Sequence, residues 1–374
     1  MGIDSFKLER YFAEHEFSAR FLLSTSDCES LSLPELLNLA DSETRRLWED
    51  LRLGYTESQG HPLLREEISH LYQRIPPEHI LTAVPEEAIL IAMNVLLRPG
   101  DRVVVAWPAY QSLYEIARSI GCEVAPWPIE AQAGRWGVNL ERLERALQGA
   151  NMLVLNFPHN PSGYLPDSKT FASIFQIARR TGVIVFSDEM YRFLEHDPKS
   201  RLPAACDINE NAVSLSGLSK SFGLPGLRTG WLAAQNPRLV EKFQAYKDYT
   251  TICASAPGEI LAIAALRARE TILARNLWIV RRNLELAEVF FGGQPDLFEW
   301  IRPDAGSTAF PRWVGGGTVE EFCKSAVEQG GVMLAPGSLF GAPGNHFRVG
   351  LGRANFYEAL EALGEFLVNR SQGR

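Results

Sequence analysis

Short, almost unbroken apolar runs rich in Val, Ile and Leu recur through the middle of the chain, at residues 102–106 (RVVVA), 152–156 (MLVLN), 183–187 (VIVFS), 212–215 and 231–234. Between them the period changes. In 140–148 and 168–180 apolar residues return every three or four positions, the spacing of one face of a helix. Continuously apolar strands alternating with amphipathic helices predict a mainly parallel sheet covered by helices on both faces, an α/β domain. Ligands of such a sheet bind beyond the strand C-termini. From about residue 261 to about 290 the pattern is one long charged amphipathic helix. A smaller α+β lobe is expected after it, with strands near 308–313, 331–335 and 346–350 and a last helix at 356–369. The expected division is an N-terminal segment (1–50) packed with the small domain, a large domain (51–262), and the connecting helix with the small C-terminal domain (263–374).

Charge narrows the partners. Forty-five acidic against 37 basic residues give a net charge of −8, which has no bulk attraction for a phosphate backbone or an anionic lipid surface, so neither nucleic acid nor membrane is expected. The longest apolar run, 88–97, is interrupted by Asn94 and is too short to span a bilayer. The N-terminus (MGIDSFKLERYFAEHEF) lacks the apolar core of a signal peptide, and Phe6 stands where myristoylation needs Ser or Thr. Five scattered cysteines with no C-x-x-C pair read as reduced core thiols of a cytoplasmic protein, and support neither a disulfide framework nor a zinc knuckle.

Three of the expected strands end in polar residues, which are costly at a sheet edge unless they serve a ligand. Residues 152–156 run into Phe157-Pro158-His159-Asn160-Pro161-Ser162-Gly163, and 183–187 into Asp188-Glu189-Met190-Tyr191. Residues 212–215 run into Ser216-Gly217-Leu218-Ser219-Lys220-Ser221-Phe222-Gly223, with Arg228 eight residues beyond the lysine. If the strands are parallel neighbours, Asn160, Asp188, Tyr191 and Lys220 share one rim. Each alone has an ordinary explanation: Asn160-Pro161 initiates turns, Asp188 could cap a helix, and Lys220 could be a solvated loop lysine. Together they favour chemistry, because a lysine among Ser, Gly and Leu at a sheet edge is a candidate covalent nucleophile.

In this order and spacing, N-x-x-x-N-P-x-G, D-E-x-Y, and S-K with an arginine eight residues on resemble the pyridoxal-phosphate enzymes of the aspartate aminotransferase fold (fold type I), in the class I/II aminotransferase family. The resemblance runs over roughly residues 55–348. It implies pyridoxal 5′-phosphate as cofactor and a role for each rim residue. Lys220 would hold the cofactor as an imine and then serve as acid–base at the substrate α-carbon. Asp188 would pair with the pyridinium nitrogen and keep it protonated, making the ring an electron sink. Tyr191 and Asn160 would hydrogen-bond the phenolic oxygen of the ring, with Asn160 also beside the substrate, and Arg228 would grip the phosphate.

Three further segments extend the resemblance. Trp107-Pro108-Ala109-Tyr110 points to Tyr110 as the ring stacked on the cofactor, although a core aromatic would look the same. The stretch from Gly54 to Arg65 is similar to the family's Y-x-x-x-x-G-x-x-x-L-R, where the tyrosine reaches the phosphate of the neighbouring subunit. Tyr55 in that role implies shared active sites and an obligatory homodimer. Ala335-Pro336-Gly337-Ser338-Leu339-Phe340-Gly341, followed by Phe347-Arg348-Val349-Gly350, resembles P-G-x-x-F-G…R-x-x. It assigns Arg348 to the substrate α-carboxylate, a task suited to a guanidinium fork, and leaves nearby Arg353 as a surface arginine.

Two segments depart from the family pattern. Where a small Gly/Ala/Ser-rich turn usually closes on the phosphate, this chain has Thr82-Ala83-Val84-Pro85-Glu86-Glu87-Ala88. The amides of Glu86 and Glu87 are then expected to serve the phosphate, with the Glu86 side chain turned away. Three residues before the lysine, often a phosphate-binding Ser, stands Gly217, and Ser219, ahead of Ser216, is the expected substitute. In place of a Gly-x-Pro-Asp element the N-terminal segment has Ser24-Thr25-Ser26-Asp27-Cys28-Glu29. There Asp27 and Glu29 would either favour a cationic amino donor or belong to a solvated loop.

The expectation is a cytoplasmic homodimeric aminotransferase moving an amino group from an L-amino acid to a 2-oxo acid. The same machinery serves C–S lyases and amino-acid cyclases of the capreomycidine synthase kind, and these motifs do not separate them. A nicotinamide oxidoreductase would need G-x-G-x-x-G after a first strand; Gly350-Leu351-Gly352 begins one late in the chain, but Asn355 stands where the third glycine belongs. A non-catalytic cofactor-binding regulator would need an attached DNA-binding region, for which there is neither room nor a basic patch. No G-x-S-x-G or H-E-x-x-H supports a hydrolase.

Overall fold

The computed structural model describes residues 2–372. Three short helices open the chain: α1 (Lys7–His15), α2 (Leu33–Leu39) and α3 (Ser42–Glu49). The alternation of strands and helices then runs through α4 (Pro62–Ser69), β1 (Ile80–Ala83), α5 (Pro85–Leu96), β2 (Arg102–Trp107), α6 (Ser112–Ile120), β3 (Glu123–Gln132) and β4 (Arg135–Val138). It continues with α7 (Leu140–Ala146), β5 (Met152–Asn156), α8 (Ser168–Thr181), β6 (Ile184–Asp188), α9 (Ala205–Ile208), β7 (Ala212–Gly217), β8 (Gly230–Ala234), α10 (Pro237–Lys247) and α11 (Ala256–Arg267). All eight strands form one sheet in the order β1-β8-β7-β6-β5-β2-β3-β4. The interior five are parallel, while β8 and β1 add antiparallel strands at one edge and the β3–β4 hairpin closes the other.

Alternate residues of each strand point to opposite faces, and both faces are covered. Val104, Leu153, Leu155 and Val185 pack with Leu143 of α7 and Phe171, Ile174 and Phe175 of α8. Val103, Val105, Val154 and Phe186 pack with Ile89 and Ile91 of α5, Leu113 of α6 and Phe243 of α10. Burying such a side chain contributes about 1.5–3 kcal/mol, which is why these runs tolerate no interior charge. Local signals set the helix ends. The Asp167 carboxylate accepts the Thr170 N–H to start α8, and Gly182, at φ 72°, stops it before the next strand.

The sheet is mainly parallel as expected, with three strands beyond the expected set. β1 is four residues long, and β3 carries Pro126 and Pro128 with its outer residues exposed, so neither shows a continuous apolar run. The stretch 231–234 is a strand, but antiparallel to β7. The long helix expected over 261–290 is instead two. α11 ends at Arg267, and α12 (Arg269–Gly292) starts after Ala268, whose ψ of 13° breaks the helical run. No Gly or Pro marks the break. It is held by Arg267, which binds Asp41, Glu43 and Glu67 and so fixes the end of α11 against α3 and α4.

Beyond α12 lie β9 (Phe298–Glu299), β10 (Thr308–Ala309), β11 (Arg312–Trp313), α13 (Val319–Gly330), β12 (Ala335–Pro336), β13 (Phe347–Gly350) and α14 (Phe356–Gln372). They form a small antiparallel sheet, β10-β13-β12, and a β11–β9 pair. The core here is aromatic, with Trp313 and Phe322 stacked at 4.1 Å. The strand expected at 308–313 is split by Phe310-Pro311, and the one at 331–335 is reduced to a single bridge from Val332 to Phe21 before the regular strand begins at Ala335.

The N-terminal fifty residues do not act as one piece. Residues 21–29 run along the small lobe, with Phe21 N–H on the Gly331 carbonyl (2.9 Å) and Gly350 N–H on the Leu23 carbonyl (2.7 Å). A side chain at Gly350 would collide with the Thr25 carbonyl, and one at Gly352 with the Asp27 carbonyl, so this glycine pair serves a close backbone approach. α2 and α3 pack against α11 instead. α1 bridges the two lobes: Lys7 N–H donates to Gln111 Oε1 (2.9 Å), and Tyr11 Oη donates to the Leu334 carbonyl (2.7 Å).

Candidate active site

Register brings the polar strand ends together. Asn156 lies opposite Asp188, and Asp188 opposite Leu215. Gly217 and Ala83 both face Gly230, so the end of β1, the start of α5 and the residues entering β8 meet at the same rim. There a cavity of about 600 Å³ opens, lined by Glu86, Tyr110, Asn160, Asp188, Tyr191, Ser219, Lys220, Arg228 and Arg348. Phe6, Glu9, Phe12 and Glu16 close it from the side of α1, and Thr25, Ser26 and Asp27 from the segment along the small lobe.

The loop after β5 is fixed from within. Asn156 Oδ1 accepts the Asn160 N–H (2.8 Å), and Asn156 Nδ2 donates to the Asp188 carbonyl (3.0 Å). His159 sits between Ser162 Oγ and the Pro108 carbonyl, both at 2.7 Å, and burial lowers its pKa to about 4. A neutral imidazole thus ties the Asn160 loop to the loop carrying Tyr110. Lys220 Nζ donates to Ser26 Oγ at 2.9 Å. The Asp188 carboxyl is buried and its pKa is raised to about 7, chiefly by desolvation, against the Met190 N–H that it accepts (3.1 Å). The charge of Glu86 adds to the rise, and Lys220 opposes it. A cationic N–H donor is the partner such an acid lacks.

Arg348 is almost fully buried at 2% exposure, and no carboxylate among the described residues lies within ion-pair distance of it. Its Nε donates to the Ser24 carbonyl (2.9 Å) and Nη1 to Asn160 Oδ1 (3.1 Å), while its guanidinium lies over the Phe340 ring at 4.9 Å. Burial pulls its pKa below the usual arginine value. A buried cation held only by neutral groups is costly, and a carboxylate entering the cavity would relieve that cost.

At the other end Ser219 Oγ is buried with no hydrogen-bond partner. Arg228, at φ 52°, lines the cavity with its side chain exposed. Gly217 has a local reason. A Cβ there would lie 3.0 Å from the Thr229 carbonyl and the Gly230 Cα and 3.2 Å from Pro85 Cγ. The proline that opens α5 therefore wedges into the space a serine would take, and the two departures noted in the sequence are one packing arrangement.

Several expectations are corrected. The Glu86 side chain is not turned away: it lines the cavity, accepts from Ser112 Oγ, and has its pKa raised, mainly by burial. Glu87 is the residue that leaves, its Oε1 accepting from Thr250 (2.5 Å) and Thr251 (2.8 Å). Arg353 is no free surface arginine, since its Nη2 grips both Asp27 oxygens at 3.0 Å. Glu29 Oε2 accepts the Ala354 N–H (2.9 Å), so both N-terminal carboxylates are engaged inside the protein. Tyr55 is 91% exposed and outside this cavity, as are Glu87 and Ser216. Tyr110 lines the cavity, its ring 5.1 Å from Phe6 and its hydroxyl 3.3 Å from Glu9 Oε1.

Ser26, Ser112, Glu9, Phe12 and Glu16 were not singled out from the sequence. Only the last three carried a signal, the i, i+3, i+7 spacing of one helix face.

A family model described as aminotransferase class I and II matches residues 21–363. Capreomycidine synthase of Streptomyces vinaceus is 30% identical over 98% of this chain and 95% of its own length. Two solved structures superpose on nearly the whole chain. A PLP-dependent aminotransferase from Streptococcus suis has a TM-score of 0.91 at 32% identity, covering 99% of both chains. The PLP-dependent cyclase OrfR has a TM-score of 0.90 at 28% identity, covering 99% of this chain and 98% of its own. The chain belongs to the class I and II aminotransferase family.

Proposed function

We propose that the protein is a pyridoxal-phosphate-dependent aminotransferase that takes an amino group from an L-amino acid and delivers it to a 2-oxo acid. The observation that carries this reading is the convergence, on one cavity, of the Lys220 amine, the buried Asp188 carboxyl and the unpaired buried guanidinium of Arg348. The residues fit the cofactor at both ends. Asp188 suits a protonated ring nitrogen, and the unpartnered Ser219 hydroxyl beside Arg228 suits a phosphate.

When bound, pyridoxal 5′-phosphate supplies an aldehyde for amines and a ring that accepts the electron pair of a broken Cα–H bond. Lys220 would be the amine that holds it, and its Nζ would serve as the acid–base that moves the proton at the substrate Cα. Asp188 would keep the ring nitrogen protonated, Tyr191 and Asn160 would donate to the ring oxygen, and Tyr110 would pack on the ring. Arg348 orients the substrate by its α-carboxylate. Phe6 and Phe12 exclude water from the α-carbon. With Lys220 replaced by Ala, turnover is expected to vanish while the thermal midpoint changes little, because the hydrogen bond lost with the amine, to Ser26, is a single one near a cavity.

Ring closure within one substrate is a second reading, favoured by the kinship to capreomycidine synthase and OrfR and by Glu9 and Glu16, two carboxylates facing the cavity. One assay separates the two. Holoenzyme is incubated with a panel of amino acids, each with and without a 2-oxo acid, and the products are resolved by mass. Exchange of amino and oxo groups supports transfer; a product that has lost water or ammonia without any acceptor sinks it.

The active unit in this reading is a homodimer, with Tyr55 serving the partner's phosphate. Five unpaired cysteines favour a reducing compartment, the cytoplasm. No helix among the described residues is long and apolar enough to cross a membrane.

A further inference from the structure

We propose that Glu86 meets the cofactor phosphate as a neutral carboxylic acid, so that loading the apoenzyme with pyridoxal 5′-phosphate transfers one proton from solvent to the Glu86 carboxylate. This rests on the cofactor reading above and concerns the phosphate end of that same site.

The geometry leaves Glu86 little choice of place. It is the second residue of α5, and it lines the cavity beside Pro85, Ser219 and Arg228. Ser112 Oγ, at the start of α6, donates to its Oε1 and pins the side chain inward. Pro85 has no N–H to offer a phosphate, and its ring, with the Thr229 and Gly230 backbone, crowds position 217 against a hydroxyl-bearing side chain. The donors that the same subunit still offers are the unpartnered Ser219 hydroxyl, the Arg228 guanidinium and the first amides of α5. A carboxylate among so few donors would face the phosphate as a second anion, whereas a carboxylic acid would add a donor.

Every charged or titratable group facing Glu86 bears on the balance. Burial raises its pKa, and Glu9 from α1 adds to the rise, while Ser112, Tyr110 and Arg228 oppose it. Asp188, at the end of β6, repels it across the cavity. A phosphate would occupy Arg228, the one cation in that set, and would leave the ionised form only the neutral donors Ser112 and Tyr110 against an added anion.

The test uses apoenzyme stripped of cofactor, in wild-type, E86Q and S112A forms. Each is titrated with pyridoxal 5′-phosphate from about pH 5.5 to about pH 8.5, the dissociation constant being read by tryptophan quenching. Calorimetry in two buffers of different ionisation enthalpy counts the protons. E86Q is expected to bind at every pH, and the wild-type dissociation constant to rise relative to E86Q by about tenfold per pH unit once Glu86 ionises in the apoenzyme. At the alkaline end wild type takes up about one proton more than E86Q. S112A, having lost the donor that favours the ionised form, shows the same rise beginning at higher pH. With pyridoxal lacking the phosphate, the difference between wild type and E86Q disappears. Parallel pH profiles for wild type and E86Q, or weaker binding by E86Q at every pH, overturn the proposal while leaving the cofactor reading intact. Failure of every form to bind pyridoxal 5′-phosphate overturns both.

Discussion

Asp188 shows at the scale of one residue what the site lacks when no cation is paired with that acid. In the folded chain its pKa stands at about 7, against an ordinary aspartate in the unfolded chain. A carboxyl group whose pKa rises on folding stabilises most when it is protonated, so that stability is present at acid pH and is lost as pH climbs from about 4 through about 7. The full loss is about 4 kcal/mol. Thermal melting of the apoenzyme should therefore fall between about pH 5 and about pH 8, and the slope should flatten in D188N. The holoenzyme should also lose most of the slope, because a protonated ring nitrogen pairs with the carboxylate; a D188N apoenzyme with the wild-type slope would remove Asp188 as its source. The rim residues around Asp188 were legible because each follows a parallel strand at a short, fixed spacing. Ser26 and Ser112 were not, since they reach the cavity from segments whose position is set by packing, and the helix-face spacing of Glu9 does not say what that face packs against. Even Glu86, chosen for its amide, could not be oriented from sequence, because the bond that pins it comes from Ser112, twenty-six residues on.

Among elements, the parallel interior of the sheet was readable because strands buried on both faces have no room for polar residues. β1 is buried but only four residues long, and β3 carries two prolines and exposed outer residues, so both escaped notice, and the break at Ala268 was hidden because a salt-bridged arginine, rather than Gly or Pro, ends α11. The junction of β1, α5, β7 and β8 shows how elements restrict one another. Pro85 fills the space above Gly217 and Gly230, and a Cβ at Gly230 would lie 2.8 Å from both Pro85 Cγ and the Ser216 carbonyl. Restoring the family's serine with G217S should destabilise the fold by about 1–3 kcal/mol, since the backbone on two sides is held in the sheet ladder and only the proline can yield. In a P85A background the same change should cost less, the difference appearing as a coupling above about 0.5 kcal/mol in a denaturant-melting cycle. Equal costs in the two backgrounds would mean that Pro85 is not the wedge.

For the whole molecule, the decisive surface lies beside the start of α5. Leu53 (84% exposed), Tyr55 (91%), Tyr249 (93%) and Ile252 (52%) place large apolar side chains in water. They belong to two segments tied together by Ser58 Oγ on Asp248 Oδ1 (2.7 Å) and Thr56 Oγ1 on the Ala254 carbonyl (3.4 Å). Ile252 is also held at φ 65°, a conformation unfavourable to a β-branched residue and worth keeping only where its placement matters. Thr250 and Thr251 of the same loop bind Glu87 at the start of α5, so whatever covers this surface also braces the helix end that lines the cavity. Monomers seldom expose so many large apolar groups together, and a second copy of the chain is the occupant that would also bring a tyrosine to the neighbouring site. Sedimentation of the wild type should give a dimer at micromolar concentration. The double substitution L53D/Y249D should give a folded monomer that releases pyridoxal 5′-phosphate at least about tenfold more readily, because each desolvated charge disfavours the contact. Y55F should remain dimeric and weaken only the hold on the cofactor. A wild-type monomer with full activity, or a Y55F protein with unchanged cofactor affinity, would dismiss the shared site and leave each subunit to complete its own.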